Sequence, residues 1–160
     1  MNKTSVLFVC MGNLCRSPTA EAVFTHYVND AGLARQIVID SAGTHVSHTG
    51  DPADERAKRA ALKRGYDMSR SRTRPVHSAD FARFDYVLAM DENNLSSLAR
   101  DCPETYAERL ALLMSYSTSA QSTSVPDPYY GGPQGFQRVL DMVEDAAQGL
   151  LRHIRSHHQL

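Results

Sequence analysis

Cys10 and Arg16 are separated by Met11-Gly12-Asn13-Leu14-Cys15, a spacing at which one short loop can turn both side chains onto a single anion. A thiolate is a strong nucleophile, and a guanidinium offers a planar fork that grips two phosphate oxygens. Gly12 and Asn13 tolerate the positive φ that a tight loop needs. Inward-turned amides of such a loop, at the start of a helix, bind anions, phosphate above all. The same field would draw the Cys10 thiol below the ~8.5 of a free cysteine. The combination suits attack by the Cys10 sulfur on a bound phosphoryl phosphorus. A bland alternative exists, since cysteine is often a small buried hydrophobe and this spacing recurs by chance. Context favours chemistry. Val6-Leu7-Phe8-Val9 is an apolar run typical of a buried strand, Ser17 is a good helix N-cap and Pro18 fits the first helical position.

The string Val9-Cys10-Met11-Gly12-Asn13-Leu14-Cys15-Arg16-Ser17-Pro18 resembles the phosphate loop of the low-molecular-weight protein tyrosine phosphatases. Three later stretches resemble the same family and follow its order: Ser41-Ala42-Gly43-Thr44, Phe84-Asp85-Tyr86-Val87-Leu88-Ala89-Met90-Asp91 and Asp127-Pro128-Tyr129-Tyr130-Gly131. The resemblance covers nearly the whole chain. It implies hydrolysis of phosphotyrosine in a protein substrate through a phosphocysteine intermediate, with no metal or organic cofactor. Cys10 would attack. Arg16 and the loop Met11, Gly12, Asn13, Leu14, Cys15 and Ser17 would bind the substrate's phosphoryl group. Asn13, Ser17 and Ser41 would also brace the loop from behind.

Expelling a phenolate needs a proton at the leaving oxygen. Asp127 is the candidate donor, its backbone stiffened by Pro126 and Pro128. An Asp-Pro pair in a polar loop is usually only a turn, but the match at Asp127-Pro128-Tyr129-Tyr130 outweighs that. Asp127 would then retrieve a proton from the water that hydrolyses phosphocysteine. Tyr129 and Tyr130 would wall the cleft, where an aromatic ring can stack. Two positions depart from the family pattern. Ser47 stands where many relatives place a large aromatic at the cleft mouth, and Ser71 where they often have a histidine supporting the loop. Leu14 stands where relatives acting on phosphoarginine carry threonine, and an apolar residue suits an aryl phosphate better.

Positioning these residues requires alternating strands and helices. A helix over about Pro18 to Ala31 places Ala20, Val23, Phe24, Tyr27, Val28 and Ala31 on one face, and Gly32 stops it. Gln36 to Ser41 reads as a second strand, ending beside the loop. Thr44 to Pro52 reads as a loop and Ala53 to Arg64 as a helix closed by Gly65. Its Arg56, Lys58, Arg59, Lys63 and Arg64, continued by Arg70, Arg72 and Arg74, form the most basic region. A solvated face is the simpler reading of that region; attraction of acidic or phosphorylated partners is the other. Ser78 would cap a helical turn over Phe81. Tyr86 to Met90 is a third strand, Asp91 to Ala99 a helix, and Leu110 to Met114 a fourth strand that could also be helical. Ser115 to Pro133 is a long polar loop, and loops of that length are often functional. Gln134 to Ile154 is the last helix, with Phe136, Val139, Leu140, Val143, Ala146, Ala147, Leu150, Leu151 and Ile154 on one face, and His157-His158 a solvated tail. The pattern is α/β with right-handed crossovers. The resemblance makes it a four-stranded parallel sheet in the order 2-1-3-4, flavodoxin-like, with helices on both faces. Cys10 then falls at the topological switch point, where ligands bind.

With 160 residues the chain reads as one domain, 1–160. A net charge of −1 points to neither nucleic acid nor an acidic membrane surface, and no apolar run is long enough to cross a bilayer. The amino-terminal Met1-Asn2-Lys3-Thr4-Ser5 leads straight into a strand, without a signal-peptide segment. Three cysteines form no disulfide framework and fit a reducing cytoplasm. A monomer or weak homodimer is expected. Cys15 could resolve an oxidised Cys10 as a disulfide, or simply pack the loop. Two alternatives stay open: a thiol-coupled arsenate reductase, for which only Cys102 remains as a shuttle outside the loop, and a non-catalytic phosphotyrosine reader or oxidant sensor.

Overall fold

A computed structural model describes residues 3–119 and 122–160. Four parallel strands, β1 (Thr4–Cys10), β2 (Ile37–Gly43), β3 (Tyr86–Ala89) and β4 (Leu110–Leu112), form one sheet in the order β2-β1-β3-β4. Cys10 pairs with Gly43, Val9 with Ala89, and Ala89 with Leu112, so the carboxyl ends of all four strands share one edge. The chain leaves β1 for β2 on one side and then crosses to β3 on the other. That reversal opens a crevice at the end of β1.

β1 is buried along its whole length because the sheet is covered on both faces. Val6, Phe8 and Cys10 join a cluster with Val23 and Phe24 of α1 (Arg16–Asp30) and Val139, Val143 and Leu150 of α5 (Gly132–His158). Leu7 and Val9 point the other way, to Phe81 of α3 (Asp80–Arg83) and Leu98 of α4 (Glu92–Asp101). The two-residue alternation of a strand therefore puts Cys10 on the α1 and α5 side. The remaining helix, α2 (Glu55–Lys63), is capped by Asp54, whose carboxylate accepts from the amides of Arg56 and Ala57.

Several boundaries differ from the sequence reading. Helix α1 begins at Arg16 rather than behind a Ser17 cap; Cys15 holds the cap position without a side-chain bond. The Ser17 hydroxyl is committed elsewhere, to Cys10 and Asn13. Ser78 caps nothing: Ala79 holds the cap of α3, and it is the Asp80 carboxylate that accepts from the His77 amide. Strand β4 stops at Leu112, where Leu113–Tyr116 tightens into a 3-10 turn. Helix α5 starts earlier than Gln134 because Pro133 fits its first turn. It also runs past Ile154 through His158, whose ring meets the Tyr86 hydroxyl at 3.0 Å, so these histidines are the last turn of a helix and not a loose tail. The loop after Tyr116 is anchored twice. The hydroxyls of Ser117, Thr118 and Ser119 donate to Asp145 of α5, and buried Val125 donates its amide to the Met90 carbonyl at 2.8 Å. Among the described residues, no helix is long and apolar enough to cross a membrane.

Candidate active site

Strand β1 delivers Cys10 to the carboxyl edge of the sheet, and residues 11–15 turn before α1 starts. The turn needs Asn13 in the left-handed region, at φ 57°, where asparagine is tolerated better than most residues. This geometry sends the Asn13 amide back to the Cys10 sulfur, N to Sγ 3.2 Å. The Ser17 hydroxyl meets the same sulfur at 3.0 Å. Two polar groups thus converge on a buried sulfur at the N-terminus of α1.

The loop is braced from behind. Asn13 Nδ2 donates to the hydroxyls of Ser17 at 2.8 Å and Ser41 at 3.1 Å, and its Oδ1 accepts from the Arg74 amide at 3.0 Å. Ser41 donates in turn to Glu21 Oε1 on α1 at 2.8 Å. Arg74 is held by Asp40 and Asp80, each at 3.0 Å, so this cation of the basic region is paired rather than solvated. Gly43 belongs to the brace by lacking a side chain. A Cβ there would fall 2.7 Å from the Met11 carbonyl oxygen and 3.1 Å from Asn13 Cβ.

Arg16 is buried, and one nitrogen makes both of its side-chain hydrogen bonds to the described residues. Nη1 donates to Asp91 Oδ2 at 2.6 Å and to the Val125 carbonyl at 3.1 Å. Among the described residues, no partner occupies Nε or Nη2. One edge of the guanidinium is thus fixed by protein, and the other is available for an anion.

Cys10, Met11, Gly12, Leu14, Cys15, Arg16, Asp54, Asp127 and Tyr129 line one cleft of about 300 Å³. Asn13, Ser17 and Ser41 stand behind the loop and not in the lining. Met11 and Leu14 are exposed at the lip. Asp127 is exposed, and its Oδ1 accepts from the Tyr129 amide at 3.0 Å, capping the 3-10 turn Pro128–Tyr130. Tyr129 is 55% exposed, with the Arg56 guanidinium 5.1 Å from its ring centroid. The backbone of Tyr130 lies in that turn, and its side chain falls outside the described residues. Ser47 is exposed and lies outside the lining. The side chain of Ser71 makes no hydrogen bond to the loop; Ser41, Arg74 and Glu21 do that bracing.

Electrostatics distinguishes two side chains of the cleft. Burial pushes the Cys15 thiol up to about 12, with further raising by Asp54, Cys10 and Asp127, so Cys15 stays protonated at neutral pH. Burial would also raise Asp54, but hydrogen bonds from the Arg56 side chain and the Ala57 and Arg56 amides outweigh it and hold the carboxyl below its usual range.

Sequence reasoning passed over four contributors: Asp91 as the clamp on Arg16, Asp54 in the cleft, Glu21 behind it, and the Val125 carbonyl. Only Asp91 left a usable signal, as an acid directly after a buried strand, where a parallel sheet presents its ligand edge.

The family model described as low molecular weight phosphotyrosine protein phosphatase matches residues 5–160. A low molecular weight protein-tyrosine-phosphatase of Streptomyces coelicolor is 44% identical over 153 residues, covering 94% of this chain and 93% of its own length. The human low molecular weight phosphotyrosine protein phosphatase is 42% identical over 137 residues, covering 84% and 85%. The crystal structure of a protein tyrosine phosphatase from Entamoeba histolytica, with Hepes in its active site, superposes with a TM-score of 0.93 at 42% identity, covering 99% of this chain and 100% of that one.

Proposed function

Because the chain belongs to the low molecular weight phosphotyrosine protein phosphatase family, we propose that the cleft at Cys10 hydrolyses phosphotyrosine in protein substrates. The observation that carries this is the convergence of Cys10, Arg16 and Asp127 on one cleft, with the Asn13 amide and the Ser17 hydroxyl on the Cys10 sulfur. The free edge of Arg16 and the loop amides bind the phosphoryl oxygens, and Leu14 and Tyr129 flank the ring.

The first step forms the S–P bond and breaks the P–O bond to the tyrosine. Asp127 gives its proton to the departing phenolate oxygen, using the carboxyl oxygen not engaged by the Tyr129 amide. In the second step water attacks phosphorus and Asp127, now a carboxylate, takes its proton. The S–P bond breaks and the electron pair returns to Cys10, where Ser17 and the Asn13 amide receive the negative sulfur. Inorganic phosphate leaves. Asp91 and the Val125 carbonyl keep Arg16 from swinging away between the steps.

The test is turnover of p-nitrophenyl phosphate and of a phosphotyrosine peptide, with quenched-flow capture of a phosphoenzyme. Wild-type protein should turn over both, and Cys10→Ser neither, while keeping its fold and its affinity for phosphate. A variant retaining a tenth of wild-type turnover would remove Cys10 as the nucleophile.

A further inference from the structure

Beside the active site runs a second cleft of about 270 Å³, between α2 and the start of α5. Its lining combines the cations Arg56, Arg59 and Lys63 with the apolar Ala60, Pro133 and Phe136. We propose that this cleft binds carboxylates of an acidic substrate segment lying one to three residues from the phosphotyrosine. The proposal rests on the reading of the active site given above and adds the class of protein substrate.

Arg56 is the partition between the two clefts. Its guanidinium lies 5.1 Å from the ring centroid of Tyr129, which lines the active site, and 5.1 Å from that of Phe136, which lines the basic cleft. Two of the four cations of α2, and Arg64 just after it, are already committed. Arg56 pairs with Asp54 at 3.2 Å, Lys58 with Glu55 at 2.8 Å, and Arg64 with Asp141 and Glu144, both at 2.9 Å. Arg59 and Lys63 are exposed and, among the described residues, have no ion pair. The steps from 56 to 59 to 63 keep all three on one helical face.

Lengths agree with a peptide laid along this face. At about 1.5 Å per residue of helix, Arg59 and Lys63 stand about 4.5 and 10.5 Å beyond Arg56 along the axis. An extended peptide advances about 3.3 Å per residue, so those intervals span about one and three residues of substrate. Only Arg56 has a ring against its face in this cleft, with Phe136 5.1 Å from the guanidinium; Arg59 and Lys63 meet a carboxylate as exposed cations. A merely solvated basic face would act differently, through a diffuse field that treats near and distant acids alike and fades with salt.

The test measures kcat/KM on phosphotyrosine peptides with neutral flanks, with acids one to three residues before or after the phosphotyrosine, and with the same acids moved at least six residues away. Acids close on one side should raise kcat/KM about tenfold, chiefly through KM, and distant acids should not. The double variant Arg59→Glu with Lys63→Glu should lose or invert that preference, and Arg59→Gln with Lys63→Gln should flatten it. Both should turn over p-nitrophenyl phosphate at the wild-type rate, which also reports that they fold. Equal gains from near and distant acids, or a preference that survives both double variants, would overturn the proposal while leaving the phosphatase reading intact. Wild-type protein that turned over no aryl phosphate at all would overturn both.

Discussion

Asp127 has two possible jobs, and they make different demands on its side chain. As a cap it only has to accept from the Tyr129 amide, which Oδ1 does at 3.0 Å. As an acid and base it has to exchange a proton with the leaving oxygen and then with water. Asp127→Asn separates the two, because an amide oxygen still caps but the group carries no transferable proton. We expect Asp127→Asn and Asp127→Ala to lose a similar ~10²–10⁴-fold in turnover of phenyl phosphate, the range for a missing general acid. The loss should shrink towards leaving groups of low pKa, which need little protonation. A leaving-group series reads this directly. If Asp127→Asn stayed close to wild type while Asp127→Ala fell, the residue would be a cap and nothing more.

At the scale of elements, close approach between α5 and the 3-10 turn Leu113–Tyr116 sets how firmly the last helix is docked. Gly149 sits at the crossing. A Cβ there would lie 1.8 Å from the Tyr116 carbonyl oxygen, a backbone atom that cannot rotate away. Helix propensity alone favours Gly149→Ala by ~1 kcal/mol, whereas overpacking costs about 1–3 kcal/mol and occasionally more. The clash should win, and the melting temperature should fall by several degrees, at roughly 2–4 °C per kcal/mol for a chain of this size. A melting temperature that stayed level or rose would mean that the turn yields cheaply. Nothing in the sequence marks Gly149 as special, and the reason is general. Strands β1 to β3 and the faces of α1 and α5 are legible because they are local patterns: an apolar run, or a three-and-four repeat. Cys10, Arg16 and Asp127 stand out as candidates, the first two from their context of strand, loop and helix and Asp127 from the resemblance, and they line one cleft. The clamp of Asp91 on Arg16 joins residues 75 apart, and the Arg74 amide reaches Asn13 across 61. Such pairs exist only once the sheet has aligned the strand ends, so spacing along the chain carries no trace of them. The same limit explains Ser17, which looks like a cap by type and is diverted by a sulfur and an amide that the fold places beside it.

At the scale of the whole molecule, stability should carry the mark of the brace behind the loop. Glu21 is partly buried on α1, accepts from Ser41 of β2, and faces Asp40 of β2 and Arg74 on the segment before α3. Burial is the main influence and raises its carboxyl from 4.5 to about 7; Asp40 adds to the rise, while the Ser41 hydrogen bond and Arg74 oppose it. The sign follows from proton counting. Between those two values the folded chain holds a proton at Glu21 that the unfolded chain has released. Its contribution to stability is therefore full below about 4.5 and is lost as pH climbs through about 7. The swing is on the order of 3 kcal/mol at most. Glu21→Gln removes the titration and keeps an oxygen that can accept from Ser41. Urea unfolding from pH 4.5 to 8 should then show the two proteins diverging as pH rises, with Glu21→Gln the more stable at pH 8 and the curves closest at pH 4.5. Parallel curves across that range would show that Glu21 titrates alike in the folded and unfolded chain. Divergence in the opposite direction would mean that the ionised carboxylate is what the brace requires.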